Sequence, residues 1–139
     1  MKLSTRGKYG LFAMYYLAVH EGKGPQSLQN IASMGVPKQY LEQLLGHLRR
    51  AGLVNTVRGA QGGYQIAKPP KDITLLDVID AMEGPIEMSE CTTDDRLCKR
   101  SSECVVRRVW QQLTDSINQE LARVSLQTML EIEGESITL

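Results

Sequence analysis

The stretch Ser27-Leu28-Gln29-Asn30-Ile31-Ala32-Ser33-Met34-Gly35-Val36-Pro37-Lys38-Gln39-Tyr40-Leu41-Glu42-Gln43-Leu44-Leu45-Gly46-His47-Leu48-Arg49-Arg50 decides the fold. Leu28, Ile31 and Ala32 lie three and four apart, the inner face of a short helix that Ser27 can cap by accepting from a first-turn amide. Met34-Gly35-Val36 reads as a tight turn. Pro37 suits the first turn of a following helix, where its missing N–H is harmless. In that helix Leu41, Leu44, Leu45 and Leu48 form one apolar stripe. Two short helices joined by a glycine-containing turn, the second well patterned, carry the helix-turn-helix signature.

Ala51-Gly52 ends the pattern, and two β-prone runs follow, Leu53–Val57 and Tyr64–Ala67, around the turn Arg58-Gly59-Ala60-Gln61-Gly62-Gly63. They read as a hairpin, so the unit is a winged helix. Upstream, residues 8–20 are apolar nearly all round and predict a helix buried on most sides. Downstream, Lys68-Pro69-Pro70-Lys71 reads as a stiff extended connector. Thr74 caps a short helix through Leu75, Leu76, Val78, Ile79 and Met82, stopped by Gly84-Pro85. Residues 85–102 show no period and read as a loop. From Glu103 to Glu131 the spacing predicts one long helix with a seam of Val106, Trp110, Leu113, Ile117, Leu121 and Val124. Its apolar face exceeds what the chain can cover, which predicts a homodimer built on this helix. The fold class is therefore mainly α with a small β-wing. It divides into a winged helix-turn-helix at 1–70, a short helix and cysteine-bearing loop at 71–102, and a dimerisation helix and tail at 103–139.

Composition narrows the function. The 139 residues have a net charge of zero and only 5% aromatics, so the core rests on aliphatic side chains. The neutrality hides an asymmetry: nine basic against two acidic residues in 1–70, seven against fourteen in 71–139. One surface suited to a polyanion and another suited to something else would produce that split. No run approaches the roughly 18 apolar residues of a membrane span, and the start has no signal-peptide core, which predicts a cytoplasmic chain with no membrane partner. A phosphate-binding glycine motif and a nucleophile–base arrangement are both missing, and there are only two histidines, so the chain does not read as an enzyme.

The partner that fits is double-stranded DNA. With the leucines inward, Lys38, Gln39, Glu42, Gln43, Gly46 and Arg49 face out on the third helix. Gln43 can pair with an adenine edge and Glu42 can accept from a cytosine amino group. A carboxylate repels phosphate, so Glu42 fits a base better than the backbone. Lys38, Arg49 and Arg50 suit phosphates, and Gln39 and Tyr40 sit at the end of the helix that enters a major groove. Arg58, Gly59 and Gln61 form a thin wing tip suited to the minor groove, where arginine favours narrow A·T-rich stretches. Ser4, Thr5 and Arg6, with a flexible Gly7 and Lys8, suit phosphate contact. A winged-helix module that binds only proteins remains the alternative of another class.

Cys91, Cys98 and Cys104 are all the cysteines of the chain and form Cys-x6-Cys-x5-Cys. Such thiolates can hold zinc or an iron–sulfur cluster, both of which normally take four ligands, or stay as three reduced thiols. An odd number in an intracellular chain argues against a disulfide scaffold.

The chain resembles the winged-helix repressors typified by the iron–sulfur regulator IscR and the nitric-oxide sensor NsrR, with the cysteine-metabolism repressor CymR as a cluster-free branch. The resemblance rests on Leu3-Ser4-Thr5-Arg6-Gly7-Lys8-Tyr9, Tyr40-Leu41-Glu42-Gln43-Leu44, Leu48-Arg49-Arg50-Ala51-Gly52-Leu53-Val54, the wing Val57-Arg58-Gly59-Ala60-Gln61-Gly62-Gly63-Tyr64, and three cysteines before a Trp-containing helix. It implies a dimeric transcription repressor in which Glu42 and Gln43 read bases, Arg58 enters the minor groove, and Cys91, Cys98 and Cys104 hold a [2Fe–2S] cluster. The cluster-free branch implies instead a regulator of sulfur metabolism acting through thiol redox or a partner protein. The sequence departs from the pattern at the fourth ligand: Arg107 stands where the IscR pattern has histidine, and Lys8 where NsrR-type proteins have aspartate. Arginine stays protonated and cannot bind iron. Glu90, Asp94, Asp95, Glu103, Ser101, Ser102, His20 and His47 are the other donors, and the sequence selects none of them.

Overall fold

The computed structural model describes residues 4–86 and 104–137, the side chains of 135–137 excepted. Helix α1 (Thr5–Val19) is followed by α2 (Leu28–Ala32) and α3 (Lys38–Arg50), then strands β1 (Val54–Val57) and β2 (Gly63–Ile66), a 3-10 turn at Pro70–Asp72, and helices α4 (Leu75–Glu83), α5 (Val105–Arg123) and α6 (Leu126–Ile137). The winged helix-turn-helix is present with short helices where the periodicities place them.

The local chemistry accounts for the starts. Ser27 Oγ accepts from Asn30 N at 3.1 Å and opens α2. Pro37 stands one residue before α3 rather than in its first turn, and its carbonyl accepts from Leu41 N at 2.9 Å. Thr74 and Asp77 form a reciprocal capping box on α4, Asp77 N to Thr74 Oγ1 at 3.1 Å and Thr74 N to Asp77 Oδ2 at 3.0 Å. Thr74→Ala is expected to cost about 1 kcal/mol of stability, measured by urea unfolding, because the Asp77 amide at the helix start loses its side-chain acceptor.

The leucine stripe of α3 is fully buried, and one core cluster joins it to Ala13, Met14 and Leu17 of α1, Ile31 of α2, Val54 of β1, Val78 and Met82 of α4, Ile73, and Leu126 of α6. The packed core thus continues past residue 70. Helices α1 and α4 approach closely because Gly10 has no side chain: a Cβ there would sit 2.7 Å from Cγ and Sδ of Met82.

The hairpin pairs Val54 with Ile66 and Val57 with Gly63. Gln26 adds a third edge, its amide and carbonyl exchanging 2.8 Å bonds with the carbonyl and amide of Tyr64. This approach explains the Gly-Gly pair: a Cβ on Gly63 would collide with the backbone of Gln26, and one on Gly62 with the carbonyl of Val57.

Three further expectations are corrected. The opening segment is helical rather than flexible: α1 starts at Thr5 with Ser4 as N-cap, and Gly7 is buried. The Lys68–Lys71 connector is not extended throughout: buried Pro70 opens a 3-10 turn that takes in Lys71. The single helix over 103–131 with a tail is two helices, broken at Val124, whose backbone is extended (φ −95°, ψ 118°). Val124 and Ser125 pair instead with the segment before α4: Leu75 N donates to Val124 O at 2.8 Å and Leu126 N to Ile73 O at 2.9 Å. Ser125 and Thr128 then exchange side-chain bonds at the start of α6, and Leu126 enters the core with no exposed surface. Burial of Leu126 and the new backbone bonds outweigh helical continuity, and the seam spacing carries no trace of them.

Candidate nucleic-acid interface

Because Leu41, Leu44, Leu45 and Leu48 all point inward, the other side of α3 must carry its polar residues. Gln39, Glu42 and Gln43 are exposed, and with Gly46, His47 and Arg50 they line one shallow recess. The Arg50 guanidinium donates from Nη2 to His47 Nδ1 at 3.0 Å. Lys38 and Arg49 are exposed on the same helix. The helix thus has an apolar face that is fixed and a hydrogen-bonding face that is open.

The wing tip is the second element. Arg58, Gly59 and Gln61 are exposed on a turn closed by Gly62 N donating to Gly59 O at 3.0 Å, with Gly59 at φ +114°. A side-chain-bearing residue rarely adopts that φ, so Gly59 supports the turn as well as keeping it thin.

The opening residues form a third group. Ser4, Thr5, Arg6, Tyr40 and Glu83 line a recess between the starts of α1 and α3 and the end of α4. Ser4 donates its amide to Glu83 Oε1 at 2.8 Å and its hydroxyl to the same oxygen, and Arg6 Nη1 donates to Met82 O at 3.1 Å. Tyr40 is half-buried and packs edge-on against Tyr9, ring centroids 5.9 Å apart. Ser4, Thr5 and Arg6 are all exposed, with Ser4 and Arg6 also bonded to α4, and Tyr40 is half-buried. Sequence reasoning missed Glu83 and Gln26, which act across long sequence separations. His47, which the sequence leaves open as packing or a DNA contact, lies four residues after Gln43 and lines the same recess.

Of the three cysteines, Cys91 and Cys98 lie outside the described residues. Cys104 is half-buried at the N-cap of α5, with no capping bond from its side chain. Lys8 is exposed, its Nζ 5.9 Å from the Phe12 ring centroid, and Arg107 lies half-buried in the first turn of α5. Among the described residues no three His, Cys, Asp or Glu gather where a metal could sit. Asp80 has its carboxyl raised above the usual range, by burial first and then by the charge of Asp77; it groups with Lys68, Ala51 and Leu53 between α3 and α4.

The N-terminal half of α5 is bare. Val105 is 69% exposed and Val106 55%, and Val109 and Leu113 are also open, while Trp110, Ile117, Leu121 and Val124 are half-buried. Among the described residues no helix is long and apolar enough to cross a membrane.

Comparison with known proteins agrees with this arrangement. CymR, a transcriptional regulator of Bacillus subtilis, is 40% identical over 130 residues, covering 93% of this chain and 89% of that protein. The solved structure of T. potens IscR superimposes with a TM-score of 0.80 at 41% identity, covering 98% of this chain and 90% of the other. That of CymR (YrzC), the global cysteine regulator of B. subtilis, does so with a TM-score of 0.78 at 38% identity, covering 95% and 98%. The model of the Rrf2 family, iron-dependent transcriptional regulator, matches residues 3–132. A winged helix with an open polar recognition face, matched over nearly its whole length, is thus a transcriptional regulator rather than an enzyme, and the chain belongs to the Rrf2 family.

Proposed function

We propose that this regulator is a homodimeric repressor that holds operator DNA with α3 in the major groove and the wing tip in the minor groove. The observation that carries the reading is the outward face of α3, where Gln39, Glu42 and Gln43 are exposed opposite a fully buried leucine stripe. Side chains held that way on a rigid helix meet base edges in a defined order, and Gln43 with Glu42 can select adenine and cytosine. Lys38, Arg49 and Arg58 supply phosphate or groove contacts. The bare face of α5 is the contact between the two copies, since four open apolar side chains on one helix end favour burial against a partner.

A duplex selected from a random library tests this. Its affinity should fall steeply as salt rises, because neutralised phosphates release counterions. Gln43→Ala should lose about 1–3 kcal/mol of preference at one base pair of each half-site with little change in thermal midpoint, read by fluorescence anisotropy. Binding that ignores salt would leave a protein-interaction module instead.

The finer reading concerns the signal. Three thiolates, from Cys91, Cys98 and Cys104, suit three of the four positions of a [2Fe–2S] cluster, and residues 8 and 107, both cations here, cannot supply the fourth. Cys91, Cys98 and Cys104 would hold the cluster, with its fourth ligand coming from another residue or a small molecule. A cluster bound there supplies a one-electron redox centre. Cys104 begins α5, so tethering its thiolate fixes the start of the helix that carries the bare dimer face. A few kcal/mol of preference for one dimer geometry is enough to shift operator occupancy. The departures at Lys8 and Arg107, and the likeness to CymR, favour a second reading: a cluster-free regulator of cysteine or sulfur metabolism acting through thiol redox or a partner. Protein prepared without oxygen separates the two. A cluster gives visible charge-transfer absorption with stoichiometric iron and sulfide, abolished when all three cysteines are replaced by Ala. A colourless protein after reconstitution leaves the second reading.

A further inference from the structure

The sequence groups Arg50 with Lys38 and Arg49 as a phosphate contact, but its side chain is not placed like a free surface cation. Arg50 is the last residue of α3, and a long helical side chain lies over the turn on the N-terminal side of its own Cα. Gly46 stands four residues earlier, and Arg50 Nη1 lies 3.6 Å from where a Cβ on it would be, the distance of ordinary contact with that turn. His47 stands three residues earlier and accepts from Arg50 Nη2 at 3.0 Å. A guanidinium has only donors, so in this contact His47 Nδ1 is the acceptor. The bond to His47 directs the guanidinium along α3, and both residues line the same recess as Gln39, Glu42 and Gln43.

We infer that Arg50 is a base-reading residue that selects guanine, and that His47 is the positioning residue holding it on the recognition face. Phosphate contact needs only charge and tolerates a mobile side chain. Bidentate pairing with guanine O6 and N7 needs a planar fork held at a set angle, and the bond to His47 is what orients it. Arg50 donates from Nη2 to His47, and its remaining N–H groups stay free to meet the base. The inference rests on the DNA-binding reading proposed above, and it adds guanine to the adenine and cytosine assigned to Gln43 and Glu42.

The test selects duplexes from a random library with the intact protein and with Arg50→Lys, Arg50→Ala, His47→Ala and His47→Asn, recording preference and salt dependence for each. The intact protein should select one guanine per half-site that Arg50→Lys no longer prefers, a loss of about tenfold in discrimination with the salt slope retained. His47→Ala should flatten the same position and no other. His47→Asn, whose amide oxygen can accept where Nδ1 did, should restore it, whereas a purely structural role for His47 predicts no such position-specific rescue. In the Arg50→Ala background, His47→Ala should have no further effect on that position. The inference is overturned if Arg50→Ala weakens every duplex equally and lowers the salt slope by about one contact per subunit, the behaviour of a phosphate contact. It is also overturned if no guanine is selected, or if His47→Ala leaves the preference intact. An intact protein with no salt-dependent duplex binding would instead remove the DNA-binding reading itself.

Discussion

Leu126→Ala is expected to lower the unfolding free energy by about 2–5 kcal/mol, the usual cost of a large-to-small change in a closed core. Leu126 has no exposed surface and belongs to the same cluster as Leu44, Leu45 and Leu48 of the recognition helix. It is also the first residue of α6, and its amide donates to Ile73 O. Removing its side chain leaves a void where α6 meets the segment before α4, so the loss falls on the join between the winged helix and the α5–α6 half. Ile132→Ala, on the open surface of α6 at 58% exposure, should change stability by no more than about 0.5 kcal/mol. Urea unfolding followed by circular dichroism measures both. The two should be compared at one protein concentration, since self-association makes apparent stability depend on concentration. A Leu126→Ala cost below about 1 kcal/mol would mean that the two halves are not joined through this core.

Gly62→Val should cost at least about tenfold in affinity for a selected duplex, the loss of one good groove contact per subunit. A Cβ at residue 62 would fall on the carbonyl of Val57, backbone that cannot rotate aside. The hairpin must reopen to accept it, and Arg58, Gly59 and Gln61 move with the tip. The leucine stripe lies outside the turn, so the helical core should keep its circular dichroism spectrum. Arg58→Ala removes the side chain but leaves the turn intact, so Gly62→Val should match or exceed its effect on affinity. Anisotropy titrations on one duplex decide between them. Wild-type affinity for Gly62→Val would show that the wing's shape does not matter to binding.

Much of the regulator was legible in the residues because its signals are local. The α3 stripe, the Ser27 and Thr74 caps and the glycine-rich hairpin each act within a few positions, and each was found where it was expected. The outward placement of Gln39, Glu42 and Gln43 follows from the same periodicity, since inward leucines leave them nowhere else to go. The opening segment was misread because Gly7 looks flexible alone, whereas its burial in the first turn of α1 comes from packing.

The sequence by itself thus determined a winged helix with an open polar recognition face, because helix periodicity, capping and turn chemistry are properties of neighbours along the chain. Only the tertiary structure decided the break at Val124, the Gln26 edge on the wing, the Glu83 and Met82 bonds to Ser4 and Arg6, and the side of α5 left bare. Each depends on residues brought together from distant parts of the chain, where burial and backbone pairing outweigh local preference and leave no period to read.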